Sequence, residues 1–259
     1  MTIGQYYPGD SLMHRLDART KLIGTFVHIF ALLMVNTFAG YGVVAAYVVV
    51  LILISQVPIR QVLRALRPIL LMLSFAVALN LLLAPGENIV LQFFIITITA
   101  EGLSFGAQMA LRLVLLILGT SLLTLTTSPI KLTDGIESLL APLKIIKVPA
   151  HDIAMLMTLC LRFIPTLSEE MLKIMNAQKA RGASLDTGNI FKRAKGMLPI
   201  IVPLFVSAFK RAEEIATAME SRCYRGDIGR TKMDAVKMNV RDYLGLLIIA
   251  VVSLGVIML

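Results

Sequence analysis

The sequence predicts an all-α integral membrane protein, and three observations carry that prediction. Of its 259 residues, 57% are hydrophobic and only 16% are charged, against roughly 25% charged in an ordinary soluble domain. Mean hydropathy is +0.82. The apolar residues fall into runs near the length of a membrane span, about 20 residues. The net charge of +9 alone would also fit a nucleic-acid binder. Its placement excludes that reading, because the basic residues gather in a few blocks between apolar runs, as in membrane proteins.

The elements follow in chain order. Residues 1–21 are polar and carry Asp10, His14, Arg15, Asp17 and Arg19, which excludes a signal peptide because that needs an early apolar core. Leu22–Val35 and Ala39–Val57 are the first two apolar runs, broken at Asn36-Thr37. Ile69–Ala84 is the third, ended by Pro85-Gly86. Ile89–Ala100 is about half a span, re-entrant or interfacial. Phe105–Thr127 is the fourth full run, and Leu244–Leu259, slightly short, is the fifth. Gly102 and Gly106 have the spacing that lets helices approach closely, and His28, Asn80 and Gln92 are expected to make interhelix hydrogen bonds.

Three basic residues lie in 1–21, three in the connection Arg60–Arg67 and eighteen in 128–241. Five spans with a cytoplasmic N-terminus put every one of these blocks on the cytoplasmic side, and the C-terminus outside. Arg112 stands inside the fourth run, where a charge is costly. It snorkels, pairs locally with Glu101 as a candidate, or serves function.

Region 128–241 differs in character. An amphipathic stretch runs Ile130–Leu143, closed near Pro142. Ile153, Leu156, Cys160, Phe163, Leu167, Met171, Ile174 and Gln178 then recur at helical steps, and Gly182 is a plausible stop. Asp186-Thr187-Gly188 is turn chemistry. A second long pattern runs from Ile190 through Ala194, Met197, Ile201, Leu204, Ala208, Ile215 and Met219 to Arg222. Pro165, Pro199 and Pro203 predict kinks. Both patterns carry charge along their length, so neither reads as an ordinary span. They are expected to cross each other and to present a methionine-rich apolar surface, suited to core filling or to a shifting contact. The domain organisation expected is 1–127 in the membrane, 128–241 as cytoplasmic helices and 242–259 as a closing span.

The two long patterns end in echoing phrases. Ala177-Gln178-Lys179-Ala180-Arg181-Gly182 is matched by Ala218-Met219-Glu220-Ser221-Arg222-Cys223. One arginine at a helix C-terminus is explained by the helix dipole, at about 0.3–1 kcal/mol. Two at matching ends, both flanked by small residues, also suit tips that enter a groove and offer a carboxylate the guanidinium fork.

These phrases resemble the paired Ala-Arg-Gly motifs of the transmembrane T component of energy-coupling factor (ECF) transporters. Tyr7-Pro8-Gly9-Asp10-Ser11-Leu12-Met13-His14-Arg15-Leu16-Asp17-Ala18-Arg19-Thr20-Lys21-Leu22 is similar to that family's opening signature. The resemblance implies a coupling subunit of an ABC-type importer in the cell membrane. It implies partnership with two ABC-type ATPase subunits, which hydrolyse the ATP, and with a membrane S component that binds a vitamin or other micronutrient. By motif match, Arg181 and Arg222 would dock the ATPases, with Ala180, Gly182, Ser221 and Cys223 as small flanks. The second copy departs from the family by reading Ser-Arg-Cys.

Two other classes fit the sequence less well. A self-sufficient secondary transporter would show repeated halves with broken helices, and no such repeat is present. A membrane-bound enzyme lacks a nucleophile–base spacing; His14, His28 and His151 are scattered, and neither a phosphate-binding P-loop nor an H-E-x-x-H helix occurs. No catalytic, cofactor or metal residues are expected, and Cys160 and Cys223 have no metal-ligand spacing.

Overall fold

The computed structural model describes residues 6–83, 89–93, 96–142, 149–182, 190–226 and 238–258. The expected stop at Pro85-Gly86, Glu87, the side chain of Gln92 and the turn Asp186-Thr187-Gly188 lie outside the described residues and side chains. Chain contacts divide the protein into two compact units, 1–139 with 234–259, and 140–233.

The first unit is a helical membrane body. A single-turn helix α1 (Leu12–Arg15) leads into α2 (Ala18–Met34), α3 (Phe38–Ser55), short α4 (Ile59–Arg64), α5 (Arg67–Leu83), α6 (Ala100–Thr126), α7 (Pro129–Leu140) and α10 (Val240–Met258). Between α5 and α6 the chain forms an antiparallel hairpin, β1 (Ile89–Phe93) with β2 (Ile96–Thr99), bulged between Ile89 and Leu91. The sequence reading of Ile89–Ala100 as about half a span, re-entrant or interfacial, did not anticipate strands. A two-stranded ribbon leaves backbone groups on its outer edges, which hydrocarbon cannot satisfy, so an interfacial setting suits it better than a re-entrant one.

Helices α3, α6 and α10 are long and apolar enough to cross a membrane, with mean hydropathies of 2.3, 1.9 and 2.0. The apolar part of α5 is shorter. Helix α7 differs from the sequence expectation. The boundary drawn at 128 groups it with the second unit, but contacts place residues up to 139 in the first. The cause is close packing: a Cβ on Gly135 would lie 2.9 Å from Ala18 Cβ at the start of α2.

The core of this unit is where α2, α3, α6 and α10 meet. Leu32, Val35, Tyr41, Val44, Val48, Leu115 and Val256 form one buried cluster, and Val57, Val62 and Leu125 form a second. Glycines permit the approach of neighbouring helices. A Cβ on Gly24 would strike Ile249 at 2.6 Å, and one on Gly119 would meet the His28 ring at 2.2 Å. His28 is buried and its Nε2 donates to the Leu115 carbonyl of α6 at 3.2 Å, the interhelix bond expected of it. Asn80 likewise reaches Met109 Sδ of α6 at 3.2 Å. Gly102 and Gly106 are buried along α6.

Arg112 is engaged locally. Its Nε donates to Tyr41 Oη at 3.0 Å and its Nη2 to the Val35 carbonyl at 2.8 Å, while Tyr41 Oη also donates to that carbonyl at 3.0 Å. Val35 follows the last turn of α2, so its carbonyl is an orphan acceptor. The guanidinium therefore closes the α2–α3 turn onto α6, and these contacts differ from the Glu101 pairing considered for it.

The opposite end of the body is sealed by the N-terminal segment. Tyr7 N–H donates to the Leu125 carbonyl at 2.9 Å, and His14 Nε2 donates to the Tyr7 carbonyl at 2.9 Å. Lys21 is buried and its Nζ donates to the Thr126 carbonyl (3.0 Å) and Thr127 Oγ1 (3.2 Å), satisfying the C-terminus of α6. Asp242, 2% exposed, accepts from the backbone N–H of Asp17 at 2.7 Å and of Asn239 at 2.8 Å. One carboxylate thus caps α10 and holds the start of α2, joining parts of the chain 225 residues apart.

Candidate docking helices

The second unit is built on α8 (Ala150–Ala180) and α9 (Ile190–Ser221). Both run continuously through their prolines, Pro165 in α8 and Pro199 and Pro203 in α9. The helices pack on each other, and the polar part of that contact is compact. Glu170 of α8 accepts from Ser207 Oγ of α9, and lies 3.6 Å from Arg211 Nη2. The same guanidinium sits 5.7 Å from the centre of the Phe163 ring, within cation–π range.

One expectation needs correcting. The apolar part of α8 meets the length and composition needed to cross a membrane, though at a mean hydropathy of 1.3, the lowest of the four helices that do. Two of its charges, Asp152 and Arg162, fall in the first half and four, Glu169, Glu170, Lys173 and Lys179, in the second, so the first half is the more apolar. Composition by itself therefore does not exclude α8 from the bilayer.

The paired phrases occupy equivalent positions. Arg181 and Arg222 each lie eleven residues beyond the shared contact, counted from Glu170 on α8 and from Arg211 on α9. At 1.5 Å per residue that is about 16 Å of helix in each case. Ala180, Arg181 and Gly182 are exposed, as are Ser221, Arg222 and Cys223. Neither guanidinium forms an ion pair among the described residues.

The cap geometry explains the phrase residue by residue. Arg181 is the C-cap of α8, and Gly182 follows in the left-handed conformation, φ +83°, with its N–H bonded to the Lys179 carbonyl at 3.0 Å. At the end of α9, Arg222 N–H bonds to the Met219 carbonyl at 3.2 Å. Cys223 is left-handed with φ +56°, and its N–H bonds to the Glu220 carbonyl at 2.9 Å. Tyr224 N–H then reaches the Met219 carbonyl at 3.0 Å, completing a Schellman motif. In both tips the residue after arginine is the one that reverses the backbone and satisfies the final carbonyls.

The last position of each phrase is thus defined by conformation as well as by size. Glycine adopts positive φ freely, whereas a residue with a Cβ pays about 1–2 kcal/mol. Cys223 carries that strain, and glycine there is the more relaxed choice. Cys223→Gly is expected to strengthen the α9 terminus by about 1 kcal/mol, slowing hydrogen exchange at the Tyr224 amide about five-fold. Unchanged or faster exchange there would show that the cysteine conformation costs nothing.

No described group of three or more histidine, cysteine, aspartate or glutamate side chains is placed to hold a metal ion. Cys160 and Cys223 are both free and exposed.

Fold and tips together define a class: a multi-span α-helical membrane protein that carries a separate unit of two long amphipathic helices with exposed arginine caps. The family described as cobalt transport protein, CbiQ, matches residues 9–233. Curated relatives extend the match over almost the whole chain. The energy-coupling factor transporter transmembrane protein EcfT of Clostridium kluyveri is 50% identical over 245 residues, covering 94% of this chain and 91% of the relative. That of Ruminiclostridium cellulolyticum is 49% identical over 244 residues, covering 94% and 91%. That of Thermosediminibacter oceani is 47% identical over 258 residues, covering 100% and 97%. The chain belongs to this family, the transmembrane T component of energy-coupling factor transporters.

Proposed function

We propose that this membrane transport subunit couples ATP hydrolysis by two ABC-type ATPase subunits to uptake of a vitamin or other micronutrient, which a separate membrane S component binds. The observation that carries the reading is the matched pair of arginine caps, each about 16 Å past a common contact. Two equivalent tips suit two equivalent partners. Exposed guanidiniums that meet no carboxylate among the described residues suit a carboxylate supplied by a partner.

In this reading 128–241 and the N-terminus lie in the cytoplasm and the C-terminus lies outside, following the distribution of basic residues. Closure of the ATPase pair displaces the tips at Arg181 and Arg222. The contact between Glu170, Ser207, Arg211 and Phe163 makes the two helices move as one lever. The exposed apolar stripe of α9, Met197, Ile201, Val202, Phe205 and Phe209, then passes the displacement to the S component. The chain itself hydrolyses no ATP and holds no transported molecule.

Purification of the affinity-tagged chain from its native membranes tests this. The expected eluate contains ATPase polypeptides in a ratio of two to one with the chain, together with a small apolar membrane protein. An eluate containing this chain alone, active in uptake when reconstituted by itself, would favour a self-sufficient transporter instead.

A further inference from the structure

The first unit contains a cavity of about 420 Å³ lined almost wholly by apolar groups from α1, α2, α3, α6 and α10. Buried residues of α2 and α6, among them His28 and Leu122, form its floor. Its flanks are residues that remain exposed, Val50 and Ile54 on α3 and Leu244 and Ile248 on α10. Helices α3 and α10 share the core cluster through Val44, Val48 and Val256. The groove lies at the other ends of those two helices. Along α10 the lining runs from Arg241 to Ile249, eight residue steps or about 12 Å. One leaflet of a bilayer has about 15 Å of hydrocarbon, half of the ~30 Å core.

Charge is confined to one end of this groove. Arg15, Lys21 and Arg241 line it there, and every deeper lining residue is uncharged. The Lys21 ammonium is engaged by Thr126 and Thr127. Arg15 and Arg241 are exposed, and neither meets a carboxylate within 4 Å among the described residues. The nearby Asp242 is spent on two backbone N–H groups. The result is an apolar slot about one leaflet deep whose mouth offers two guanidiniums that have no carboxylate partner among the described residues. That pattern is complementary to an amphiphile with a negatively charged head. Basic pockets between membrane helices bind anionic headgroups in this way, and guanidinium is well matched to phosphate.

We propose that this groove binds one anionic phospholipid, its headgroup phosphate at Arg15 and Arg241 and an acyl chain laid along α2 and α6. The residues that line it all belong to the first unit.

The chain contains no tryptophan, so one introduced by Ile248→Trp reports on the groove alone. The full chain is reconstituted in phosphatidylcholine vesicles that contain either brominated phosphatidylglycerol or brominated phosphatidylcholine. Brominated phosphatidylglycerol is expected to quench the groove tryptophan with about five-fold higher apparent affinity or more, the scale of one or two guanidinium contacts at a membrane surface. Arg15→Gln combined with Arg241→Gln is expected to erase that preference. A tryptophan introduced instead at the 80% exposed Leu71 of α5 is expected to show little preference. Should Ile248→Trp fail to fold, Leu244→Trp gives the same readout from the same wall. Equal quenching by the two lipids, or an equal preference at Leu71→Trp, would mean ordinary boundary lipid and overturn the proposal. So would a preference that survives loss of both arginines. Absence of quenching by either lipid would mean that protein, rather than lipid, fills the groove.

Discussion

Replacing Arg181 and Arg222 together with alanine is expected to yield a chain that inserts and folds as before but no longer retains ATPase subunits on purification. The fold should survive because both side chains are exposed and the caps are made by main-chain bonds that alanine keeps. The loss of dipole interaction costs at most about 1 kcal/mol per helix. Attachment should not survive. A central arginine at an interface commonly contributes about 2 kcal/mol or more. Losing two therefore weakens binding by roughly a thousand-fold, at about 1.4 kcal/mol per decade. The contrast between intact folding and lost association separates docking from the dipole explanation. ATPase recovery at wild-type yield from the double variant would end the docking hypothesis.

Asp242→Ala is expected to have the largest effect on the membrane body itself. The carboxylate is buried and satisfies two backbone donors, Asp17 N–H and Asn239 N–H. Alanine leaves the buried Asp17 N–H without an acceptor, whereas the N–H of exposed Asn239 can turn to water. A buried unsatisfied donor costs about 1–3 kcal/mol, so the expected loss is on the order of 2 kcal/mol. That is a large share of the roughly 5–15 kcal/mol typical of a folded domain. A lowered unfolding midpoint in detergent, with earlier proteolysis of the segment before α2, would register the loss. An unchanged midpoint would mean that water enters and replaces the carboxylate.

How much of this was legible in the sequence depended on whether a residue's role was local or distant. Apolar runs and basic blocks are local signals, and they located α2, α3, α5, α6 and α10 to within a few residues. The two long amphipathic patterns were equally readable, because each repeats a helical period over eight or more turns. The cap phrase was found by its repetition. Its last residue was read through size alone, since the left-handed conformation of Cys223 follows from main-chain bonds that no side chain advertises. The hairpin 89–99 was missed because Ile89–Phe93 is apolar except for Gln92, the Ile-Thr alternation of Ile96–Thr99 is only four residues long, and no tight-turn dipeptide stands between them. The seam made by Tyr7, His14, Lys21 and Asp242 was also invisible. Its partners are main-chain groups, and Asp242 and Asp17 are 225 residues apart. Arg112 was flagged as costly, but its shortest bond again goes to a carbonyl, that of Val35, with the Tyr41 hydroxyl beside it. Buried polar groups that serve main-chain atoms leave little trace in the sequence, because any residue can be their partner.

The bond between Asp242 and Asp17 also has a consequence for biosynthesis. Helix α2 packs on α10, yet about two hundred residues separate the end of one from the start of the other. A growing polypeptide therefore exposes one flank of α2 throughout translation of α3 to α9. The whole 140–233 unit has to emerge before the body around α2 can close. During that interval the uncovered flank needs lipid or an insertion factor as a temporary companion. Any change that slows delivery of α10 lengthens the period in which the nascent protein is open to degradation.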